Sequence, residues 1–240
     1  MTTLDGKVAW VIGGGSGIGA GAARALADAG ATVVVSGRRV SELEAVASVG
    51  IHAVPADVSD EQSVVDAHAR IEADYGVVDI VVYSAGTNVR NRYWADTTPA
   101  DFARVVDVNL TGAMRVIHAV LPGMRGKSDG LIVVVSSWAG WRFAPGVGAG
   151  YSTSKTALGA LVETVNAQER LQGIRATHLC PGEVRTEILN TRPVVPTAEE
   201  QELMLTSEDL GDAVRYIAEL PSRVCINELV ITPTSNTSYA

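Results

Sequence analysis

Cysteine is nearly absent from this chain of 240 residues, which has only Cys180 and Cys225. Both fall within apolar, strand-like runs, so they read as buried thiols in a reducing compartment, and no metal-ligand cluster is indicated. Runs of basic residues are missing too. The formal charge is −8, with acidic and basic side chains mixed along the chain, which argues against nucleic acid and anionic membrane surfaces as partners. No apolar run is long enough to span a bilayer, and residues 1–7 lack the charged and apolar regions of a signal peptide. A soluble, cytoplasmic protein is expected. With no internal repeat and no low-complexity linker, residues 1–240 read as one domain.

Apolar residues make up 47% of the chain, enough for a parallel sheet covered on both faces. Strand-like runs recur near residues 7–12, 31–36, 51–54, 78–83, 130–136, 174–180 and 227–232. Helical segments lie between them, among them 17–29, 60–75, 99–125 and 151–171. Strands alternating with helices of this length imply right-handed parallel βαβ units. The expected architecture is α/β: a doubly wound, Rossmann-like parallel sheet of about seven strands in a three-layer α/β/α arrangement. The longest irregular region, 183–206, carries Pro193, Pro196 and the acidic patch Glu199-Glu200-Gln201-Glu202. It emerges beyond a strand's carboxyl end, where such sheets bind ligands, and reads as a substrate lid.

Two motifs carry chemistry. The first follows the apolar stretch Lys7 to Ile12: Gly13-Gly14-Gly15-Ser16-Gly17-Ile18-Gly19, leading into an alanine-rich helix. Glycines admit a pyrophosphate close to the backbone, and a helix N-terminus offers it unpaired N–H groups. The second is Tyr151-Ser152-Thr153-Ser154-Lys155. Residues four apart share one helix face, so Lys155 lies near whatever Tyr151 binds. A free phenol, with a pKa near ~10, is a poor acid or base at neutral pH, and a neighbouring ammonium is expected to lower it. Ser137, ending the run Leu131 to Val135 and Ser136, offers a second hydroxyl to the same substrate oxygen.

With these stand Asp57-Val58, Ala85-Gly86, Asn109 in Val108-Asn109-Leu110, and Pro181-Gly182-x-Val184-x-Thr186. In this order the motifs resemble the short-chain dehydrogenase/reductase family, in its shorter single-domain branch, over almost the whole chain. Two positions depart from its pattern: Ile12 stands where threonine is usual, and Tyr83-Ser84 replace Asn-Asn. The resemblance implies hydride transfer between a nicotinamide and a carbonyl or secondary alcohol carbon of a small organic substrate. Tyr151 would then be the proton donor, and Ser137 would hold the reacting oxygen. Lys155 would tune Tyr151 and bind the nicotinamide ribose, while Asn109 would hold a water that relays protons from Lys155. Thr186 would meet the carboxamide, and homodimers or homotetramers are common in the family. A nucleotide-binding sensor without turnover and an imine reductase or epimerase are the competing readings.

The cofactor contacts expected along the strand ends involve Gly13, Gly15, Ser16, Gly17, Ile18, Gly19, Asp57, Val58, Ala85, Gly86, Pro181, Gly182, Val184 and Thr186. Asp57 can accept from the adenine amino group or cap the helix before Glu61. After the second strand, Ser36-Gly37-Arg38-Arg39 has glycine where an acidic residue would bind NAD ribose hydroxyls. Arg38 and Arg39 suit a 2′-phosphate, so NADP (NADPH) is expected over NAD. Trp94, Trp138 and Trp141 fall beside motif residues and are candidates for an aromatic substrate wall. Arg90, Arg92 and Arg142 occupy the same loops and could meet a carboxylate.

Overall fold

In the computed structural model, which describes residues 3–236, seven strands form one sheet in the order β3-β2-β1-β4-β5-β6-β7. All neighbours pair in parallel. The strands are β1 (Val8–Ile12), β2 (Thr32–Ser36), β3 (Ile51–Ala53), β4 (Ile80–Tyr83), β5 (Gly130–Val135), β6 (Ile174–Pro181) and β7 (Glu228–Ile231). Each lies within a residue or two of a run read from the sequence. The helices are α1 (Gly17–Asp28), α2 (Val40–Val46), α3 (Glu61–Tyr75), α4 (Pro99–Val106), α5 (Gly112–Lys127), α6 (Trp138–Trp141), α7 (Ala149–Glu169), α8 (Ala198–Glu202) and α9 (Ser207–Glu219). None is long and apolar enough to cross a membrane.

Strand side chains alternate between the two faces, and here both faces are buried, which is why the runs are continuously apolar. Ala9 and Val11 join Val33, Val35, Val82 and Val133 beneath α1 and α9, which contribute Leu26, Leu210 and Val214. Trp10 and Ile12 join Val34, Val81 and Ile132 beneath α3, α5 and α7, which contribute Ile71, Val120 and Leu158. α1 and α9 touch almost backbone to backbone. A Cβ on Gly21 would lie 2.1 Å from the Ser207 carbonyl oxygen, and one on Gly211 2.6 Å from that of Gly21.

Three expectations change. The helix over 99–125 is two helices joined by a π turn at Asp107–Thr111. Tyr83 braces that turn: its hydroxyl donates to the Val108 carbonyl at 2.5 Å, and a Cβ on Gly112 would meet the same hydroxyl at 2.4 Å. Segment 183–206 is not wholly irregular, since it holds a 3-10 turn at Glu187–Thr191 and α8. Main-chain bonds from Arg185 N to Leu205 O (2.8 Å) and from Leu205 N to Glu183 O (3.0 Å) close it at its base. Cys180 is buried on β6 as expected, but Cys225 is exposed, because its short apolar run ends in the loop before β7 begins.

Candidate active site

The loops after β1 to β6 open at the carboxyl edge of the sheet and line one cleft of about 500 Å³. Strand order reverses between β1 and β4, the place where a doubly wound sheet parts its loops to admit a ligand. The glycine loop forms the floor. Gly13 has φ +77°, and a Cβ there would press to 2.7 Å from Ala85 N; a Cβ on Gly19 would come within 2.2 Å of the Gly13 carbonyl oxygen. Only bare backbone fits. Ser16 caps α1 in extended conformation without a side-chain bond to the helix, leaving the first N–H groups and their positive dipole end for an anion. This floor fits a dinucleotide pyrophosphate.

The adenosine end is charged unevenly. Arg38 is exposed on the cleft rim. Arg39 is already engaged: its Nη1 lies 2.5 Å from Glu42 and 3.0 Å from Glu187, and its Nη2 donates to Ser16 Oγ at 3.2 Å. Asp57 Oδ1 accepts from the Ser59 amide (2.9 Å) and hydroxyl (2.6 Å). Burial alone would raise the Asp57 pKa, but the Ser59 bonds and the Arg38 and Arg115 guanidiniums outweigh it and hold it below the usual carboxylate value. Asp57 does not cap the following helix. Asp60 does, accepting from Gln62 N. Val58, Ala85, Gly86, Pro181, Gly182, Val184 and Thr186 line the walls, and Thr186 packs against Gly17.

At the other end Ser137, Tyr151 and Lys155 face the same space. Ser137 caps α6, its Oγ accepting from Ala139 N at 3.2 Å. Tyr151 and Lys155 lie in the first turns of α7 with the Lys155 Nζ 5.8 Å from the Tyr151 ring centre. The ammonium donates to the Val135 carbonyl at 2.8 Å. Burial pushes the Lys155 pKa down to about 8, against a smaller opposing effect of Cys180. Burial likewise raises the Tyr151 phenol above its ordinary value, and the groups opposing this are Ser137, Arg192 and Arg92. The pKa-lowering neighbour expected in Lys155 is thus not the one the structure supplies: the ammonium is turned to Val135. Asn109 is held by three hydrogen bonds. Its Oδ1 accepts from Thr87 N (2.7 Å), and its Nδ2 donates to Thr87 O (3.0 Å) and Ser154 Oγ (3.1 Å). Its amide thus braces the β4 loop against α7.

Sequence comparison decides what this cleft belongs to, because the pattern described as short chain dehydrogenase matches residues 7–194. The chain belongs to the short-chain dehydrogenase family. This short-chain dehydrogenase is 35% identical over 244 residues to a farnesol dehydrogenase of Aedes aegypti, covering 97% of this chain and 98% of that one. It is 32% identical to a glycine betaine reductase of Emericella nidulans, of whose length it spans only 19%. Among solved structures, an alcohol dehydrogenase of Thermococcus sibiricus complexed with 5-hydroxy-NADP superposes with a TM-score of 0.85 at 30% identity, over 96% of this chain and 97% of that one. The chain is an oxidoreductase of this family.

The short-chain dehydrogenase lacks the aromatic substrate wall expected from Trp94, Trp138 and Trp141. None of the three lines the cleft. Trp94 is 89% exposed; Trp138 and Trp141 stack edge to face on each other at 5.1 Å, and Trp141 donates to Glu228 at 2.7 Å. Of the three candidate arginines, Arg90 is exposed and Arg142 lies over the Trp141 ring. Arg92 alone is buried and lines the cleft.

One cluster was not seen in the sequence. His178, Cys180 and Glu228 bring their potential ligand atoms within 4.8 Å of one another. His178 and Cys180 are two apart on β6, hence on one face, and His178 is the register partner of Glu228. Burial lowers the imidazole pKa and pushes the thiol up to about 12, so the pair is a neutral ring beside a protonated thiol. It is not an activated nucleophile.

Proposed function

We propose that this oxidoreductase interconverts a carbonyl and a secondary alcohol on a small organic substrate, using NADP in preference to NAD. When bound, the nicotinamide supplies or accepts the hydride. The observation that carries the reading is the meeting of Ser137, Tyr151 and Lys155 at one end of a cleft whose other end is the glycine cradle and Arg38. Burial keeps Tyr151 protonated, which suits it to donate its proton to an alkoxide as charge develops there. Ser137 holds the reacting oxygen in line, since a hydroxyl on a fixed helix cap restrains the near-attack geometry. Lys155, with its pKa brought down to about 8, keeps an ammonium at neutral pH that binds ribose hydroxyls. Segment 183–206 serves as the lid over the substrate end.

A spectrophotometric screen of carbonyls with NADPH and of alcohols with NADP tests the reading. Turnover of at least one secondary alcohol or its ketone is the expected result. A protein that binds the dinucleotide tightly and turns over no member of a broad panel would be a sensor instead, and the proposal would be wrong.

A further inference from the structure

From the buried guanidinium of Arg92, we infer that the substrate is a hydroxy acid or oxo acid whose carboxylate is bound by this arginine. The inference rests on the oxidoreductase reading above and adds the substrate class. Arg92 is 7% exposed. A buried charge is ordinarily paired with an opposite one, yet all three hydrogen bonds of this side chain go to neutral oxygens: Nε to Val89 O at 2.9 Å, and Nη2 to Thr191 O at 2.5 Å and Thr191 Oγ1 at 3.3 Å. No carboxylate of a described residue lies in ion-pair range, and Nη1 makes no hydrogen bond with a described residue. Burial lowers the Arg92 pKa, and the like charge of Arg192 adds to this.

The position is built rather than incidental. Gly148, at φ +91°, passes so close that a Cβ on it would lie 2.7 Å from the Arg92 Cβ. The base of Arg92 is thus packed against the residue before α7, its guanidinium reaches Thr191 in segment 183–206, and it lines the same cleft as Tyr151 and Ser137. A carboxylate arriving there supplies the missing counter-charge and an acceptor oxygen for Nη1, the guanidinium nitrogen that bonds no described residue. It also places the neighbouring carbinol carbon at Tyr151. In the oxidation direction that carbon gives its hydride to the nicotinamide and its hydroxyl proton leaves through Tyr151, so hydroxy acid and NADP⁺ become oxo acid, NADPH and H⁺.

The test compares matched pairs that differ only in the anion: lactate, 3-hydroxybutyrate and their methyl esters, oxidised with NADP. A charge-assisted contact predicts kcat/KM for the preferred acid roughly ten- to hundredfold above that of its ester. In Arg92→Met the acid-to-ester ratio should fall to near one, and Arg92→Lys should restore part of it. Calorimetric binding of the same hydroxy acids to the protein with NADPH, a pairing that cannot react, should be lost in Arg92→Met. Esters turned over as well as or better than acids would overturn the inference while leaving the oxidoreductase reading intact. So would a variant whose ratio is unchanged, or one that loses NADPH affinity rather than hydroxy acid affinity. No turnover of any acid, ester or neutral alcohol would instead remove the oxidoreductase reading, and this inference with it.

Discussion

Replacing Gly37 with Asp and Arg38 with Ala should convert the proposed NADP preference into a preference for NAD. Arg38 is the guanidinium on the cleft rim without a hydrogen bond or ion pair to a described residue, whereas Arg39 is held by Glu42, Glu187 and Ser16. The preference therefore rests mainly on one charge-assisted contact to the 2′-phosphate, about 1.5–3 kcal/mol. Exposure moves it toward the lower end, which is roughly a tenfold ratio of NADH to NADPH dissociation constants. The incoming aspartate fits. A Cβ on Gly37 would make only ordinary contact, 3.6 Å from Leu43 Cδ2, and the backbone there is not left-handed. Its carboxylate would accept from ribose hydroxyls and repel the phosphate, so the ratio should cross one. Fluorescence titration of both nucleotides against wild type and double variant reads it directly. Equal wild-type constants, or a ratio that the double change leaves in place, would mean that Arg38 does not meet the phosphate.

Other consequences are equally concrete. Lys155, with a pKa of about 8 when free of ligand, gains ribose partners that raise it, so binding takes up a proton. NADH affinity should be level below about pH 7 and weaken as pH rises through about 8, and Lys155→Met should flatten the dependence; NADH is the probe because it lacks the 2′-phosphate that titrates near ~6. Of the two thiols, only exposed Cys225 should react with an aromatic disulfide in the native protein, Cys180 following on denaturation; two fast thiols would place Cys180 wrongly. Phe102 (38% exposed) on α4 and Met114 (50%) on α5 are large apolar side chains open to solvent, and light scattering should give a homodimer or homotetramer, not a monomer.

The strands were legible because a parallel sheet buried on both faces writes itself as unbroken apolar runs, and the glycine loop because its bare backbone answers a steric demand at Ala85. α9 was not assigned, although Thr206 and Asp209 form a capping box at its start; the signal was there, three residues apart. The π turn was hidden, since the residue that braces it, Tyr83, comes from a strand distant in sequence. Arg92 could not be told from Arg90 and Arg142, because burial against Thr191 and Gly148 is a tertiary fact. The tryptophans misled for the same reason: adjacency to a motif in sequence put Trp141 on Glu228, on the far side of the cleft wall. Lys155 was placed correctly, while the direction of its ammonium depended on the end of β5.

The account turns on Tyr151 as the proton donor of a hydride transfer, and single-turnover oxidation of NADPH by a ketone that the wild type reduces, compared between wild type and Tyr151→Phe, tests this most directly. The variant removes one hydroxyl and little volume, so NADPH should still bind while the single-turnover rate falls by about 10²–10⁴. A Tyr151→Phe protein that binds NADPH and oxidises it at the wild-type rate would contradict the assignment.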